Sequence, residues 1–524
     1  MKDSNKSKHG LNRRDALKGA AVAGLGMAAS AIGAPKSAKS PKRDLIRKEN
    51  AKPGTRDWQL TKTRTVPGKI NKILLNGRCT AIEGYCSANS VRAGEKLKVM
   101  VSTNPVSKFK LEIFRTGYYG GKGARLMKRF DSLKGITQPD PPVGENYVRE
   151  CQWEPSVEFE IPKDWLSGVY LGKLTAEKEN IQSYIIFIVR DDRPCDLLFQ
   201  CSELTWTAYN RWPADFSIYT KHDGRPSTTA PSGTVSFDRP YALFTHPVNK
   251  HKKSGGSGEF LPWEFPLSFW LEQHGYDVSY ISNIDTHADP AGLLRTKGFI
   301  SVGHDEYWTE DMYDNVMKAR DEGVNLAFLS ANAVLCVVPL TPSSSGQPFR
   351  TTRREGWFFP DSPQVRRRLG RESPYEKGFK PVLGRDGAQL MGARTPAVFN
   401  GAGDWTCTKP EHWLFEGTGM KAGDSIKGLV GWEMHADPAM DLPGMQVVAA
   451  GKTSINGKRP GRYTATIYDG PKGNIVFNAA TIWWANGLSS PPGHKNPSRH
   501  GVTQQGPDKR VQQITHNLFE RMIG

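Results

Sequence analysis

Long hydrophobic runs are missing from most of this chain. After the first forty positions there is no stretch of about 18 apolar residues, which excludes an internal membrane-spanning helix. Cysteine is scarce and unpatterned. The seven residues, Cys79, Cys86, Cys151, Cys195, Cys201, Cys336 and Cys407, are odd in number and lack C-x-x-C spacing, so no zinc ribbon or dithiol redox motif can be drawn. A pairing of Cys79 with Cys86 or Cys151 stays open. The short catalytic signatures G-x-S-x-G and H-E-x-x-H are absent. Gly117–Gly123 contains a Gly-Lys pair but no hydroxyl residue after the lysine, so it lacks the magnesium ligand of a phosphate loop. Gly255-Gly256-Ser257-Gly258 follows no strand pattern, which argues against a dinucleotide-binding turn.

Positive charge is plentiful, but its distribution does not suit a nucleic-acid-binding surface. The net charge is +18. Residues 1–35 hold six Lys/Arg against two Asp, and residues 36–72 hold twelve against three acids. Only +5 is left for the other 452 residues. A basic tail on a nearly balanced body predicts no nucleic-acid partner. The chain as a whole has 37% hydrophobic residues and 14 Trp, 16 Tyr and 22 Phe, the composition of a packed globular protein rather than a disordered chain.

The first segment reads as an address. Asn12-Arg13-Arg14-Asp15-Ala16-Leu17-Lys18 carries a twin arginine, a weakly apolar Ala/Gly stretch runs from Gly19 to Ala31, and Ala29-Ser30-Ala31 offers a cleavage site. Residues 1–35 therefore resemble a twin-arginine export signal, with periplasmic or secreted localisation expected. Residues 36–72, rich in Lys, Pro, Ser and Thr, read as a mobile basic linker.

Residues 73–192 alternate in short runs, clearest at 97–101, 109–113, 157–161 and 184–188, which predicts an antiparallel β-sandwich. Residues 193–524 alternate strand and helix signals. Strands are expected at 196–200, 277–281, 299–302 and 325–329, and helices over 261–274 (stopped by Gly275) and from Thr309 to Gly323. That order predicts a mostly parallel sheet covered by helices. Strands at 447–450, 463–468 and 475–478 and a helix over 511–522 follow. Residues 341–371 read as an exposed polar insertion. The fold class expected is multidomain α+β, a sandwich followed by an α/β domain.

The strongest site signal is Gly303-His304-Asp305-Glu306-Tyr307-Trp308, directly after the third strand of the α/β region. Parallel sheets bind ligands at such strand ends, and three consecutive ionisable residues at a buried edge are costly unless paired or ligating. Thr205–Asn210 follows the first strand and Ser330–Ala333 the fourth, so three strand ends would meet at one crevice.

These stretches, with Ala81–Tyr85, Gly117–Gly121, Ser167–Tyr170, Ser236–Tyr241 and Val476–Trp484, resemble the large, β subunit of N,N-dimethylformamidase and its relatives. The resemblance implies an α/β domain of the flavodoxin or class-I amidotransferase kind. It also implies a hydrolase of linear amides whose mononuclear, ferric iron is held by two tyrosines and a glutamate. Carried over by motif, the metal ligands are Glu306, Tyr209 and Tyr241, with Tyr219 as rival for the second tyrosine. His304 and Asn332 take the catalytic positions, His304 relaying a proton and Asn332 holding the carbonyl. Three hard anionic oxygens suit ferric iron. The partners expected are a small amide and, as assembly, further copies of the chain or a small subunit. The export signal, the basic tail and the apolar run Val334–Val338 depart from the family pattern and point away from dimethylformamide as natural substrate. A competing reading, left open here, is a non-catalytic carbohydrate- or surface-binding protein presenting Tyr118, Tyr119 and Trp165. A different metal-dependent hydrolase on the same scaffold is the third.

Overall fold

The structure is a computed structural model that describes residues 43–65, 77–213, 216–220, 233–243, 254–354 and 384–524. The twin-arginine segment lies outside the described residues, as do the remainder of the linker and residues 355–371 of the expected insertion.

Two sheets face each other across one core between Glu83 and Arg190. Ser90–Arg92, Gln182–Arg190, Gly168–Ala176, Phe109–Thr116 and Ala124–Leu133 form one, and Glu83–Cys86, Lys96–Ser102 and Pro155–Glu160 the other. Alternate residues point inward along each strand. Leu97, Val99 and Val101 of one sheet thus pack with Leu111, Ile113, Ile185 and Phe187 of the other. All pairings are antiparallel except Ser90–Arg92 with Gln182–Arg190. Trp165 lies stacked on Tyr170 at 4.9 Å, and Tyr119 is 2% exposed. Of the aromatic face in the carbohydrate-binding reading, Tyr119 and Trp165 are therefore buried and serve as packing, and Tyr118 is partly buried against Phe269.

The second part is built on a nine-stranded sheet among the described residues. Its order is Val278–Ser282, Cys195–Cys201, Thr296–His304, Asn325–Ala331, Ile475–Asn478, Arg459–Asp469, Gln446–Ile455, Asn400–Thr406 and Ser425–Glu433. The first five run parallel. Every pairing from Ile475–Asn478 onward is antiparallel. The sheet is thus mixed, not mostly parallel, and the whole is an α+β protein rich in strand. The antiparallel half arises because its strands follow one another through turns, such as that at Gly457, instead of crossover helices.

Local signals place the helices. Gly275 adopts the left-handed conformation (φ 69°) that closes Phe265–His274. Thr309 accepts a hydrogen bond from the Met312 amide and starts Glu310–Asp321.

The expected mobile linker is corrected over residues 43–65. Helix Arg43–Asn50 buries Ile46, and Asn50 Oδ1 accepts from the amides of Tyr118 (2.8 Å) and Tyr119 (3.0 Å). Trp58, 3% exposed, donates to the Lys122 carbonyl and meets Phe265 edge-on. A composition poor in aliphatics concealed a segment anchored by a few large side chains and side-chain caps. The expected insertion is corrected over its described part too. Thr351–Arg353 pairs with Thr234–Ser236 and Leu340–Thr341, and Arg350 bonds Asp238 at 2.7 Å. All seven cysteines are buried free thiols.

Candidate functional site

Cys195–Cys201, Thr296–His304 and Asn325–Ala331 are adjacent parallel strands, so the segments leaving their C-terminal ends come together. After the first strand, the short helix Glu203–Tyr209 is wholly buried. Its start is pinned by Glu203, whose carboxylate accepts the amides of Asn283 and Ile284 at 2.9 Å each. Thr205 Oγ1 accepts the amides of Glu306 (3.0 Å) and Tyr307 (3.3 Å), locking helix to strand end. Tyr307-Trp308 then pairs in parallel with Cys336-Val337, which accounts for the apolar run Val334–Val338: its centre is a short buried strand against the site, whose Cys336 reaches Glu306.

Tyr209 at the helix end donates to Glu306 Oε2 at 2.5 Å. Tyr219 lies stacked on Tyr209, with the two phenol oxygens 3.2 Å apart. Tyr307 extends the chain, its hydroxyl 2.6 Å from that of Tyr219. The thiol of Cys336 donates to the other Glu306 oxygen at 3.3 Å. Glu306 and its phenol neighbours are all buried.

The structure brings Tyr219, not Tyr241, to Tyr209 and Glu306. The Tyr241 hydroxyl is bonded to Thr207 at 2.8 Å, and its ring packs against Trp206 in the opposite core. Tyr209 and Tyr219 belong to the other apolar cluster, with Tyr307. On a helix, Thr207 and Tyr209 face different ways, so a side chain bonded to Thr207 points away from Glu306.

His304 sits at the centre of the charge. Its Nδ1 is 3.0 Å from Glu259 Oε2, and its Nε2 lies 3.2 Å from both Glu306 Oε2 and Glu433 Oε2. Tyr209 stacks on the imidazole at 5.3 Å, and Trp432 meets it edge-on at 5.3 Å. Burial opposes its charge, yet the Glu433 and Glu259 carboxylates outweigh that and hold its proton well above the usual histidine range. Burial pushes Glu433 up. Burial also works against ionised Glu306, but the hydrogen bond and charge of His304 prevail and hold it low. The phenols of Tyr209, Tyr219 and Tyr307 are driven up by burial and by the Glu306 charge. Arg354, also buried, opposes that rise at Tyr219 and Tyr307.

Asn332 stands one residue beyond Ala331, which is the ladder partner of His304. It is fully buried with φ 51°, and neither atom of its amide has a hydrogen-bond partner among the described residues. Asp305 plays a different part. It accepts from Gln200, Ser301 and Asn283, so it braces the strand ends from the face opposite His304, and burial raises it to about 6.

Glu433, Glu259, Cys336 and Arg354 were not singled out by motif. Glu433 reaches the site because Met434 bridges Thr481 just beyond the Ile475–Asn478 strand, a contact with no local signature.

Among the described residues no group of three His, Cys, Asp or Glu side chains is arranged to hold a metal. The Tyr209, Tyr219 and Glu306 set is of another kind, since two of its three donors are phenols. Its oxygens lie 2.5 and 3.2 Å apart along the chain, close enough for one ion to replace the shared protons. A phenol forced up by burial gives up its proton only to a strong Lewis acid, and a buried amide without partners costs about 1–3 kcal/mol until something occupies it. The donor set fits a hard, highly charged cation such as ferric iron.

Fold and site together define a sandwich-plus-mixed-sheet protein with a buried Tyr/Tyr/carboxylate cluster at the ends of its central parallel strands. The chain belongs to the N,N-dimethylformamidase beta subunit-like family, whose C-terminal region matches residues 110–498. The N,N-dimethylformamidase beta subunit of an Alcaligenes species is 24% identical over 233 residues, which is 38% of this chain and 29% of that protein. The chain thus matches less than a third of that relative's length. A superoxide reductase (neelaredoxin) E23A structure from Ignicoccus hospitalis is 15% identical, covering 21% of this chain and 82% of its own, with a TM-score of 0.14. A family 123 glycoside hydrolase from Clostridium perfringens is 10% identical, covering 54% and 53%, with a TM-score of 0.12. At such TM-scores neither structure bears on the fold. No helix among the described residues is long and apolar enough to cross a membrane.

Proposed function

We propose that this chain is an exported, iron-dependent hydrolase of the carbon–nitrogen bond in a small linear amide, with Tyr209, Tyr219 and Glu306 as the iron ligands. The observation that carries the reading is the meeting of two phenols and a carboxylate, in a chain of this family, with Asn332, whose side-chain amide has no partner among the described residues, at the end of the strand paired with His304. Iron, when bound, supplies the Lewis acidity that polarises an amide carbonyl and acidifies water.

The chain's own residues do the rest. The Asn332 amide offers an N–H to the carbonyl oxygen as charge develops there. His304 Nε2, equidistant from Glu306 and Glu433, holds a proton where it can pass to the departing nitrogen. Glu433, with Oε2 3.2 Å from His304 Nε2, is placed to exchange that proton with His304. Trp432, which meets the His304 ring, and Trp263 packed on it exclude water around them. Export by the twin-arginine route belongs to the same reading and rests on Arg13-Arg14 and the Gly19–Ala31 stretch. A partner subunit is part of it as well, since the relative is named as a beta subunit.

The test is amine release from a panel of short-chain formamides, acetamides and N-alkyl amides by the iron-loaded protein. Turnover of at least one amide, lost in Glu306→Ala and lowered on the order of 10²-fold or more in His304→Ala, is expected. Iron-loaded protein inert toward the whole panel would refute the activity.

A further inference from the structure

Resting on the reading of His304 as proton carrier, we propose that Glu259 is a positioning residue: its carboxylate holds the Nδ1 edge of His304 and thereby fixes where Nε2 points. Glu259 is 1% exposed. Oε2 lies 3.0 Å from His304 Nδ1, and Oε1 has no hydrogen-bond partner among the described residues. A buried carboxylate is expensive unless paired. Among the described residues, the one hydrogen bond this carboxylate makes is to His304.

Delivery of that carboxylate explains the glycine-rich loop that binds no dinucleotide. Gly256 has φ 100°, and a Cβ there would stand 2.5 Å from the Tyr184 carbonyl oxygen. Gly258 has φ 59°, and a Cβ there would lie 2.6 Å from the Trp206 ring. Only glycine lets the chain pass so close to the sandwich and to the site helix before Glu259. A π-helical turn, Phe260–Glu264, follows at once, a feature common at functional sites. Its Trp263 packs on Gly303, the residue before His304, where φ is 67° and a Cβ would meet Trp263 Cβ at 2.7 Å. Trp263 in turn packs on Trp432 at 5.1 Å, and Trp432 on His304. The ring is therefore gripped on a face by Tyr209 and on an edge by Trp432. Neither contact distinguishes the ring from its copy flipped by 180°. The Glu259 bond at Nδ1 does, acting from the opposite edge of the ring to the Nε2 contacts with Glu306 and Glu433 and holding Nε2 between them.

Two readouts on the full chain test this. With selective ¹⁵N-histidine labelling of metal-free protein, an imidazole N–H resonance far downfield of the amide envelope is expected. It should vanish in Glu259→Ala and persist, less shifted, in Glu259→Gln, whose amide oxygen still accepts the bond. Thermal melting identifies a variant that has failed to fold, in which case Glu259→Gln and Glu259→Asp carry the comparison. In iron-loaded protein, Glu259→Ala should lower kcat on the order of 10–100-fold with KM within about twofold, and Glu259→Gln should recover most of the loss. A wild-type protein without the downfield proton, its persistence in Glu259→Ala, or equal kcat loss in both variants would overturn the proposal. If no amide is turned over, the hydrolase reading fails on its own and the proton resonance still decides the role of Glu259.

Discussion

Glu272→Ala should destabilise the whole of Pro41–Gly524, and the structure sets the size of the effect. Arg115, on sandwich strand Phe109–Thr116, and Glu272, on helix Phe265–His274, form a two-pronged pair at 2.9 and 2.8 Å with both side chains 0% exposed. Asn50 donates to the same carboxylate at 2.8 Å and Tyr280 at 3.2 Å. The carboxylate thus ties the N-terminal helix, the sandwich and the mixed sheet. Removing it leaves a guanidinium that cannot lose its proton in a dry site, at a cost of about 3–5 kcal/mol. Unfolding entropy near 2.1 cal/mol/K per residue gives about 1 kcal/mol/K for a unit of this size, so Tm should fall by roughly 4 °C. Scanning calorimetry on wild type, Glu272→Ala and Arg115→Met/Glu272→Leu is the assay. The double variant should recover much of the loss, because two apolar side chains of similar volume leave no charge unpaired. A Tm fall below about 1 °C in Glu272→Ala, or a double variant worse than the single, would refute the reasoning.

Asn50→Ala should cost about 1–3 kcal/mol by stripping the acceptor from one buried and one partly buried amide, and residues 43–65 should resist limited proteolysis in the folded protein, as judged by mass spectrometry of the fragments. Asn332→Gly should leave Tm unchanged or higher, since glycine suits φ 51° and no hydrogen bond is lost, while kcat for a turned-over amide falls on the order of 10²-fold. His435 is fully buried with one ring bond among the described residues, to Asn478, and burial lowers it from 6.5 to about 4. Between those values the unfolded chain binds a proton that the folded one refuses, so stability declines as pH falls from 6.5 toward 4, by roughly 3 kcal/mol. Denaturant melts across that window should show a shallower acid limb in His435→Gln.

Much of the local structure was legible because its signals are short-range. Thr309 as a cap, Gly275 as a stop and the alternation around 97–101 each act within a few residues. Glu306, Tyr209, His304 and Asn332 lie on segments leaving adjacent strands, so a βα reading brings their backbones together. What the sequence withheld depends on distant pairing. Whether Arg459–Asp469 lies parallel or antiparallel to Ile475–Asn478 is decided by a turn, and the alternation of its residues is the same either way. Tyr219 and Tyr241 both follow the site helix, and only the direction of Thr207 separates them. Glu433 and Glu259 sit in no motif, and they meet His304 through the sheet's closure at Thr481 and the turn at Phe260–Glu264. The 43–65 segment misled because two large side chains and one asparagine, rather than an apolar stripe, anchor it.

The most direct test of the central claim is iron content with a visible spectrum of the mature protein, alongside Tyr209→Phe, Tyr219→Phe, Glu306→Ala and Tyr241→Phe. The account predicts about one iron per chain and a phenolate-to-iron absorption band. Both should be lost or strongly reduced in the first three variants and retained in Tyr241→Phe. Protein without iron, or iron and band that survive Tyr219→Phe but disappear in Tyr241→Phe, would contradict it.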